Sequence, residues 1–365
     1  MRAPERVRPI VLAAGGTAGH LFPAEALAAE LLLRGRRVVL MTGARTAFRA
    51  SPVFDGRERF VIAGSGIAGR GVWRGANGML SMARGVAQAR AILRRLDAAV
   101  VVGFGGYPAV APVVAASTLR PRPRIVLHEQ NAVVGRANRV LSRLADVMVL
   151  SLPGTTRVRG GASPTLGNPV RDDIRATPYA ADGAINLLVL GGSLGARIFA
   201  DVVPQALASL PAELRARLHV IQQCRAEDLA RTRAAYSASG ITAELAVFFR
   251  NVAELLRTAT LVVARSGAST VAELAASGRP AVLVPLPHAI DDHQTANARV
   301  LADAGAAWIA PQGTLDPQSL ATLLARLLRD PALLRSAAAA ALSVARPNAA
   351  ADLADAVERL LEPVA

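Results

Sequence analysis

The sequence has no lysine: all 42 of its basic residues are arginine, and with 27 acidic residues the formal net charge is +15. The exclusive use of arginine indicates a genome-wide codon bias as much as a function. The positive charge alone therefore does not identify the class of binding partner. A positive balance suits nucleic acid, anionic lipid and phosphorylated ligands alike. The aromatic content of 4% is low and no nucleic-acid-binding module is recognisable, which argues against nucleic acid.

Cysteine is nearly missing too. Cys224 is the only one, so an internal disulfide is excluded and the fold needs no oxidising compartment. Residues 1–8 are basic, but the apolar run after them is short and enters a glycine-rich loop, unlike a signal peptide. We therefore expect a cytoplasmic protein.

One uncharged run, residues 98–119, has the length of a membrane span. Three glycines and two prolines between positions 103 and 112 divide this run into a strand, a loop and the start of a helix. That order is typical of a buried parallel strand and the helix that follows it. We predict no transmembrane helix here.

Strands alternate with helical patterns along the whole chain, which at 365 residues fits two domains. The predicted strands are residues 7–13, 37–41, 99–102, 124–127 and 147–150, then 185–190, 218–222, 243–248, 261–264, 281–284 and 307–309. A stretch rich in Gly, Pro, Ser and Thr, residues 151–178, separates the two sets. Each half is therefore expected to form a parallel sheet covered by helices, and the tail from about Asp316 predicts amphipathic surface helices.

Six blocks of glycine and polar residues follow predicted strands, where open α/β sheets bind ligands. The first, Gly15–His20, leads into a predicted helix at Pro23–Arg34 and offers backbone N–H groups to a phosphate or sugar. It is not the G-x-G-x-x-G fingerprint, and no acidic residue ends the next strand, which argues against NAD. His20 is a candidate general base; a histidine bonded to solvent or backbone is the structural alternative.

The next four blocks each have a functional and a structural interpretation. Gly103–Pro108 fits a ligand loop or a tight turn, and His128–Asn131 places four polar side chains that must bind a ligand or one another. Within Gly167–Arg171, Arg171 could pair with a diphosphate or brace the linker. The loop Gly191–Gly195 offers N–H groups and the Ser193 hydroxyl to a phosphate.

The sixth block comprises residues 265–273, 278–280 and 285–298. Glu273 could accept two hydrogen bonds from a ribose diol while the helix N-terminus near Ala268–Thr270 faces a diphosphate. A lone glutamate on a helix is normally solvated, so both interpretations stay open for Glu273.

Taken in this order over nearly the whole chain, the six blocks resemble the bacterial UDP-N-acetylglucosamine:undecaprenyl-pyrophosphoryl-muramyl-pentapeptide N-acetylglucosaminyltransferases of glycosyltransferase family 28. The resemblance implies an α/β GT-B fold, two Rossmann-like domains facing across a deep cleft. Residues 1–168 would form the acceptor and membrane-associated domain, with a C-terminal helix at about 347–365 as a candidate to pack back on it. Residues 169–346 would bind UDP-GlcNAc.

The resemblance also implies inverting transfer of GlcNAc from UDP-GlcNAc to the 4-hydroxyl of MurNAc in undecaprenyl-pyrophosphoryl-MurNAc-pentapeptide (lipid I), giving lipid II. It implies no metal and no cofactor, because helix dipoles and backbone amides neutralise the leaving UDP. His20 is the expected base, Glu273 would hold the ribose, Gln294 the sugar hydroxyls and Phe249 the uracil. The donor contacts it implies are Thr17, Ala18, Gly19, Asn131, Arg171, Ser193, Phe249, Ala268, Ser269, Thr270, Val271, Ala272, Glu273 and Gln294.

The sequence departs from the family pattern at two places. Ala18 replaces one glycine of the usual first loop, GGTGGH, which constrains that loop. The segment Phe248–Asn251 replaces the more familiar phenylalanine-isoleucine pattern near the uracil.

The acceptor implied by the resemblance lies in a membrane, so we expect a peripheral protein on the cytoplasmic face of the cell membrane. Trp73, Met79 and Leu80 lie among arginines in a stretch that fits an interfacial anchor on an anionic membrane surface, or an ordinary amphipathic helix packed on the sheet. Enzymes of cell-wall synthesis are further candidate partners.

Two other classes of function remain open from the residues. Another GT-B transferase or a UDP-GlcNAc 2-epimerase would share the nucleotide-sugar site, and the epimerase would need no lipid acceptor. A non-catalytic nucleotide-sugar-binding or membrane scaffold protein would not need polar groups in both domains. Acceptor-dependent product formation separates these classes.

Overall fold

The computed structural model describes residues 8–44, 51–64, 72–159, 163–181, 183–192 and 195–361, without the side chains of residues 18 and 72–77. The chain divides into two compact units, Met1–Arg171 with Asn348–Ala365, and Asp172–Pro347. Each unit is built on one six-stranded parallel sheet and is Rossmann-like.

The first unit begins with alternating strands and helices. Its elements are β1 (Ile10–Ala13), α1 (Ala18–Leu33), β2 (Val38–Gly43), β3 (Arg59–Ile62), α2 (Val72–Leu96), β4 (Val100–Gly103), α3 (Gly106–Ser117), β5 (Arg124–Glu129), α4 (Arg136–Leu141) and β6 (Val147–Leu150). Successive residues of β1 point to opposite faces of the sheet, as in any strand. Val11 and Ala13 join one apolar core, with α2 and α3, while Ile10 and Leu12 join a second core with α1.

The second unit repeats this order with more helices at its end. Its elements are β7 (Ile185–Leu190), α5 (Arg197–Ala208), α6 (Ala212–Arg215), β8 (Leu218–Gln223), α7 (Leu229–Ala238), β9 (Thr242–Ala246), α8 (Val252–Thr258), β10 (Leu261–Ala264), α9 (Ala268–Ser277), β11 (Ala281–Leu283), α10 (His293–Asp303), β12 (Ala307–Ile309), α11 (Pro317–Leu328) and α12 (Pro331–Val344). The final helix, α13 (Ala349–Glu358), belongs to the first unit.

The strand order reverses once in each sheet. The orders are β3-β2-β1-β4-β5-β6 and β12-β11-β10-β7-β8-β9. The reversal lies between β1 and β4 in the first sheet and between β7 and β10 in the second. Ligands of open α/β sheets bind at the carboxyl ends of strands beside such a reversal, so the loops after these four strands are the first places to search for a site.

Every predicted strand is present, but one observed strand was not predicted. The missed strand, β3, is a four-residue edge strand that pairs only with β2, and most of its side chains are partly exposed. It therefore lacks the continuous apolar run that marks a buried strand. The prediction for β9 was too long, since Val247 and Phe248 lie beyond the strand and are about half exposed.

One helix prediction needed correction. α1 begins at Ala18, directly from the glycine loop, so Pro23 lies inside the helix rather than at its start. The tail is helical and amphipathic, as predicted. Leu320 and Leu324 of α11 are buried in the second unit's core, and Leu353 of α13 is buried in the first unit's core.

α13 packs against α1 through apolar contacts and through salt bridges. The Arg34 guanidinium lies 2.5 Å from an Asp355 carboxylate oxygen and 2.7 Å from Glu358, and its Nε lies 2.7 Å from Glu30. Asp355, then Glu358 and Glu30, raise the pKa of Arg34 above its usual value by accepting these hydrogen bonds. These ion pairs thereby attach α13 to the C-terminal end of α1.

Residues 98–119 form β4, a loop and α3, as predicted. Among the residues that the structure describes, no helix combines the length and the apolar character needed to cross a membrane.

Candidate active site

The glycine loop after β1 is shaped by two residues with positive φ, Gly15 (143°) and Gly16 (82°). A Cβ atom at Gly16 would lie 3.3 Å from the Tyr107 ring, so this position lacks room for a side chain as well. The loop ends at Thr17, the N-cap residue of α1. The Thr17 hydroxyl makes no capping bond and lies 2.9 Å from Nδ1 of His20, which is partly exposed.

The loop after β4 lies directly against these residues. Gly106 has a φ of 66°, and a Cβ atom there would lie 3.2 Å from Cε1 of His20. Gly105 has a φ of 78°, and its Cβ would lie 3.2 Å from the side-chain nitrogen of Asn138. Both positions therefore require glycine for conformation and for space. The structure thus brings Thr17, His20 and the β4 loop together at the reversal of the first sheet.

His128, at the end of β5, is fully buried and held as a neutral ring. Its Nδ1 accepts from the Gln130 amide at 2.9 Å, and its Nε2 lies 3.1 Å from the Gly167 carbonyl and 3.2 Å from the Ser151 hydroxyl. Burial lowers the pKa of His128 to about 4, because a charged ring cannot be solvated there, and the bond to Gly167 offsets only part of this.

Glu129 is buried beside His128, and its carboxylate accepts four N–H groups. Oε1 accepts from the backbone N–H and the side-chain amide of Asn131, at 3.0 and 3.1 Å. Oε2 accepts from the Gly135 N–H and the Asn138 amide, both at 2.9 Å. Four donors satisfy a buried carboxylate that would otherwise be costly.

The polar block at residues 128–131 therefore divides in two. His128, Glu129 and Gln130 are at most 2% exposed, and their side chains bond to neighbouring side chains and backbone groups, which is the structural interpretation. Asn131 alone is partly exposed and can reach a ligand.

The second unit holds its first glycine loop, after β7, with a buried glutamine. Gln223 accepts from the Gly191 N–H at 3.1 Å and donates to the Gly192 carbonyl at 2.9 Å and to Val247 at 3.2 Å. Ser193 lies outside the described residues. The sequence analysis did not identify Gln223. The pattern that could have identified it is a polar residue at the last position of a mostly buried strand, β8, which pairs with a strand that ends in a glycine loop, β7.

The loop after β10 leads into α9, whose first residues include six of the fourteen predicted donor contacts. Its N-cap residue, Gly267, has no side chain with which to cap the helix. The first N–H groups of a helix have no partner within it, so this end attracts an anion. Ala268, Ser269, Thr270, Val271, Ala272 and Glu273 form the first six residues of α9, and Glu273 is partly buried.

Hydrogen bonds connect the α9 loop to the start of α10. The Ser266 hydroxyl donates to the Gln294 carbonyl at 2.8 Å, and Asn297 donates to the Ser266 carbonyl at 3.1 Å. The Gln294 side-chain oxygen accepts from the Leu286 N–H at 3.0 Å. Gln294 is therefore held at the carboxyl edge of the second sheet, beside the N-terminus of α9.

The loop between β11 and α10 has two non-glycine residues with positive φ, and a buried arginine binds its first carbonyl groups. Asp291 and Asp292 both have positive φ, 57° and 52°, a conformation that costs non-glycine residues of the order of 1 kcal/mol each. The buried Arg265 donates to the carbonyls of Val284 and Pro285 at 3.0 and 3.1 Å, and burial lowers its pKa. Such strain persists only where neighbouring contacts hold it, and it is typical of functional loops.

The remaining predicted residues are placed as follows. The Arg171 guanidinium lies 5.1 Å from the centre of the Phe22 ring. Phe249 is 6% exposed while the neighbouring Phe248 is 50% exposed, so Phe248 is the more accessible of the two. On α2, Met79 and Leu80 are 62% and 51% exposed. Trp73 belongs to α2, but its side chain lies outside the described part of the chain.

The described residues contain no group of three or more histidine, cysteine or acidic side chains arranged to hold a metal ion.

Family models match both units. The glycosyltransferase family 28 N-terminal domain matches residues 10–150, and the family 28 C-terminal domain matches residues 186–359.

Similar proteins cover nearly the whole chain. A relative from Granulibacter bethesdensis is 53% identical over 99% of this chain and 96% of its own length. A relative from Acidiphilium cryptum is 54% identical over 96% of each chain. Both are named UDP-N-acetylglucosamine--N-acetylmuramyl-(pentapeptide) pyrophosphoryl-undecaprenol N-acetylglucosamine transferase.

The crystal structure of Acinetobacter baumannii MurG is similar in fold and in sequence. It has a TM-score of 0.77 and 32% identity, covering 96% of this chain and 99% of its own. With a family domain matched in each half and relatives above 50% identity over the full length, this chain belongs to glycosyltransferase family 28.

Proposed function

We propose that the chain transfers N-acetylglucosamine from UDP-GlcNAc to lipid I and so makes lipid II for peptidoglycan, the polymer that maintains cell shape and is remodelled in cell division. The observation that carries this is identity above 50% over nearly the whole length with relatives named for this transfer. Both domains of family 28 are present. A UDP-GlcNAc 2-epimerase or another GT-B enzyme is the less favoured alternative.

The test is an acceptor-dependent transfer assay. Purified protein is incubated with labelled UDP-GlcNAc and a lipid-linked MurNAc-pentapeptide in detergent, and lipid-linked disaccharide and UDP are measured together. We expect equal amounts of both, a β linkage formed from the α-linked donor, and neither product without the acceptor. UDP release or sugar epimerisation that is independent of the acceptor would contradict the proposal.

The donor site is assigned chiefly to the second unit. The N-terminus of α9 would face the diphosphate, where its first backbone N–H groups and the helix dipole would stabilise the negative charge that develops on the leaving UDP. Glu273, six residues into α9, would accept hydrogen bonds from the ribose diol, and Gln294 would bind the sugar hydroxyls. Helix N–H groups supply this stabilisation without a metal ion.

Other donor contacts are assigned from the family resemblance. Arg171 and Ser193 would bind phosphate oxygens, and the segment containing Phe249 would contact the uracil. Because the Phe249 side chain is buried, its backbone is the part available for that contact, and the exposed Phe248 ring can stack on the base. Thr17, Ala18, Gly19 and Asn131 are the contacts assigned to the first unit.

His20 is assigned as the general base. In an inverting transfer, the 4-hydroxyl of MurNAc attacks the anomeric carbon as UDP leaves, and a base takes the hydroxyl proton. Nε2 of His20 can accept this proton only if Nδ1 carries the ring hydrogen. Nδ1 then donates to the Thr17 hydroxyl at 2.9 Å, a bond that suits this tautomer and holds the plane of the ring.

The first unit is assigned to the acceptor and to the membrane. Met79 and Leu80 on α2 are exposed apolar side chains, with Arg84 exposed on the same helix. Apolar side chains beside arginine favour the interface of a membrane with anionic lipid. We therefore propose a peripheral position on the cytoplasmic face of the membrane, where enzymes of cell-wall synthesis are further proposed partners.

A further inference from the structure

We infer that Glu129 is a positioning residue: its buried carboxylate holds the Asn131 side chain so that the amide oxygen faces a hydroxyl or N–H group of the sugar-nucleotide donor. The inference rests on the proposed function, in which Asn131 contacts UDP-GlcNAc. Glu129 itself is 2% exposed and touches no substrate in this role.

The chemistry of a carboxylate fixes which end of the Asn131 amide points toward it. A carboxylate oxygen that already faces a backbone N–H acts as an acceptor, so the Asn131 side-chain atom 3.1 Å from Oε1 is the amide nitrogen. The amide oxygen lies on the opposite side of the planar group. Without this bond, the amide could turn over and offer a donor where the substrate needs an acceptor.

Glu129 fixes the backbone of the same segment as well. Its Oε1 accepts the Asn131 N–H at 3.0 Å, and its Oε2 accepts the Gly135 N–H at 2.9 Å. The side chain of Asn138, 1% exposed, donates to Oε2 and to the His128 carbonyl. Residues 131 to 138 are therefore held around a single carboxylate, and Asn131 is a partly exposed member whose side chain can reach a ligand.

The first test replaces the carboxylate by its amide. In Glu129→Gln, one acceptor oxygen becomes an NH₂ group that faces two N–H donors, so two of the four bonds are lost. Because a hydrogen bond to a charged group is stronger than one between neutral groups, we expect the KM for UDP-GlcNAc to rise by about 10- to 100-fold. The acceptor KM and kcat should each stay within about threefold of wild type, since the base is untouched.

A second variant tests orientation without changing a buried residue. Asn131→Asp keeps the shape of the side chain but places an oxygen next to the Glu129 carboxylate, where it is repelled. Its donor KM should rise at least as much as that of Asn131→Ala. If Asn131→Asp keeps the wild-type donor KM, the orientation of the amide has no effect and the inference is wrong.

A double-mutant cycle separates positioning from general destabilisation. If Glu129 acts through Asn131, then Glu129→Gln added to Asn131→Ala should raise the donor KM no further. If Glu129→Gln raises the donor KM as much in the Asn131→Ala variant as it does in the wild type, the inference is wrong.

Asp146 provides the matched control, because its partly buried carboxylate accepts the Ile125 N–H at 2.7 Å at the other end of β5. Asp146→Asn should lower the melting temperature but leave the donor KM unchanged. If it raises the donor KM as much as Glu129→Gln does, the effect is general to the strand and the inference fails.

The outcomes for the proposed function are distinct from these. A wild-type protein that binds UDP-GlcNAc by calorimetry but transfers nothing to the lipid acceptor would contradict the proposed function. An active wild type with unchanged donor KM in both Glu129→Gln and Asn131→Asp would contradict the inference alone.

Discussion

Thr17 is the N-cap residue of α1, yet its hydroxyl bonds to His20 instead of to the helix backbone. A threonine cap typically stabilises a helix by about 1 kcal/mol, and α1 forgoes that bond. The partner that Thr17 takes instead is the proposed base. The sequence predicted each residue separately, but their pairing follows from the first turn of α1, which brings positions 17 and 20 to one side.

Removing the Thr17 hydroxyl should therefore impair the chemical step. In Thr17→Val the bond to Nδ1 of His20 is lost, so we expect kcat to fall about tenfold, while Thr17→Ser should stay within about twofold of wild type. The melting temperature should change little, because no capping bond is lost. Both variants are measured at saturating donor and acceptor, and a wild-type kcat for Thr17→Val would disprove this role.

Removing the proposed base itself should have a larger effect. We expect His20→Ala to lower kcat by about 10²- to 10⁴-fold, the usual contribution of a general base. The Kd for UDP-GlcNAc, measured by calorimetry, should be unchanged, because the donor contacts remain. A near-normal kcat with intact donor binding would rule out His20 as the base.

The buried His128 makes stability depend on pH. Its pKa is about 4 in the folded protein and near 6.5 when unfolded, so the unfolded chain binds more protons between these values. Stability from this residue is complete above about pH 6.5 and is lost as the pH falls toward 4. From the linkage relation, we expect the free energy of unfolding to drop by about 2 kcal/mol between pH 7 and pH 5.

Urea denaturation across this range measures the effect. His128→Gln removes the titrating ring, so its stability should be lower at pH 7 but should change less between pH 7 and 5. A variant whose stability falls as steeply as wild type would show that other groups cause the dependence.

At the scale of elements, the glycine loops were the most predictable part of the site. Glycine clusters directly after apolar strands identified the loops after β1, β4 and β7, and the strand reversals place them where ligands bind. The edge strand β3 was not predictable in the same way. Its pairing with β2 provides its hydrogen bonds, whereas its own residues lack the pattern of a buried strand.

The attachment of α13 to α1 is an element-scale contact that we expect to stabilise the protein measurably. Arg34→Met keeps the aliphatic stem and removes the charge that contacts Glu30, Asp355 and Glu358. Since partly exposed ion pairs contribute about 0.2–1 kcal/mol each, we expect a loss of about 1–2 kcal/mol and a melting temperature lower by about 2–8 °C.

Salt and a second arginine provide the controls for this prediction. In 1 M salt, which screens exposed charges, the difference from wild type should shrink. Arg233→Met changes an exposed arginine of α7 in the second unit and should leave the melting temperature unchanged. Equal losses in both variants would argue against a specific role of the Arg34 contacts.

At the scale of the whole molecule, α2 and α1 cover opposite faces of the first sheet, and we predict that only α2 contacts a membrane. α2 buries Ala89 and Leu93 against the sheet, as an ordinary amphipathic helix does, but leaves Met79 and Leu80 exposed. The buried part of α2 thus packs as an ordinary amphipathic helix does, and the interfacial anchor stays a prediction for the exposed part.

We expect Met79→Ser/Leu80→Ser to weaken association with vesicles that contain anionic phospholipid by at least about tenfold, given about 25 cal/mol per Å² of apolar surface lost. Sedimentation with vesicles measures this. The control is Leu33→Ser on α1, an 80% exposed residue whose helix packs on the opposite face of the sheet. Binding that is unchanged in the double variant, or equally weakened in the control, would contradict an anchor on α2.

The sequence by itself determined the two repeated α/β units, the glycine loops and the family, because these depend on local periodicity and on motifs within a few residues. Tertiary structure decided what sequence left open. His128 bonds to a carbonyl 39 residues away, and Arg34 to a carboxylate 321 residues away. Such contacts determine which polar residues are buried supports and which, like Asn131, can meet a ligand, because burial depends on packing between distant segments rather than on neighbours in the chain.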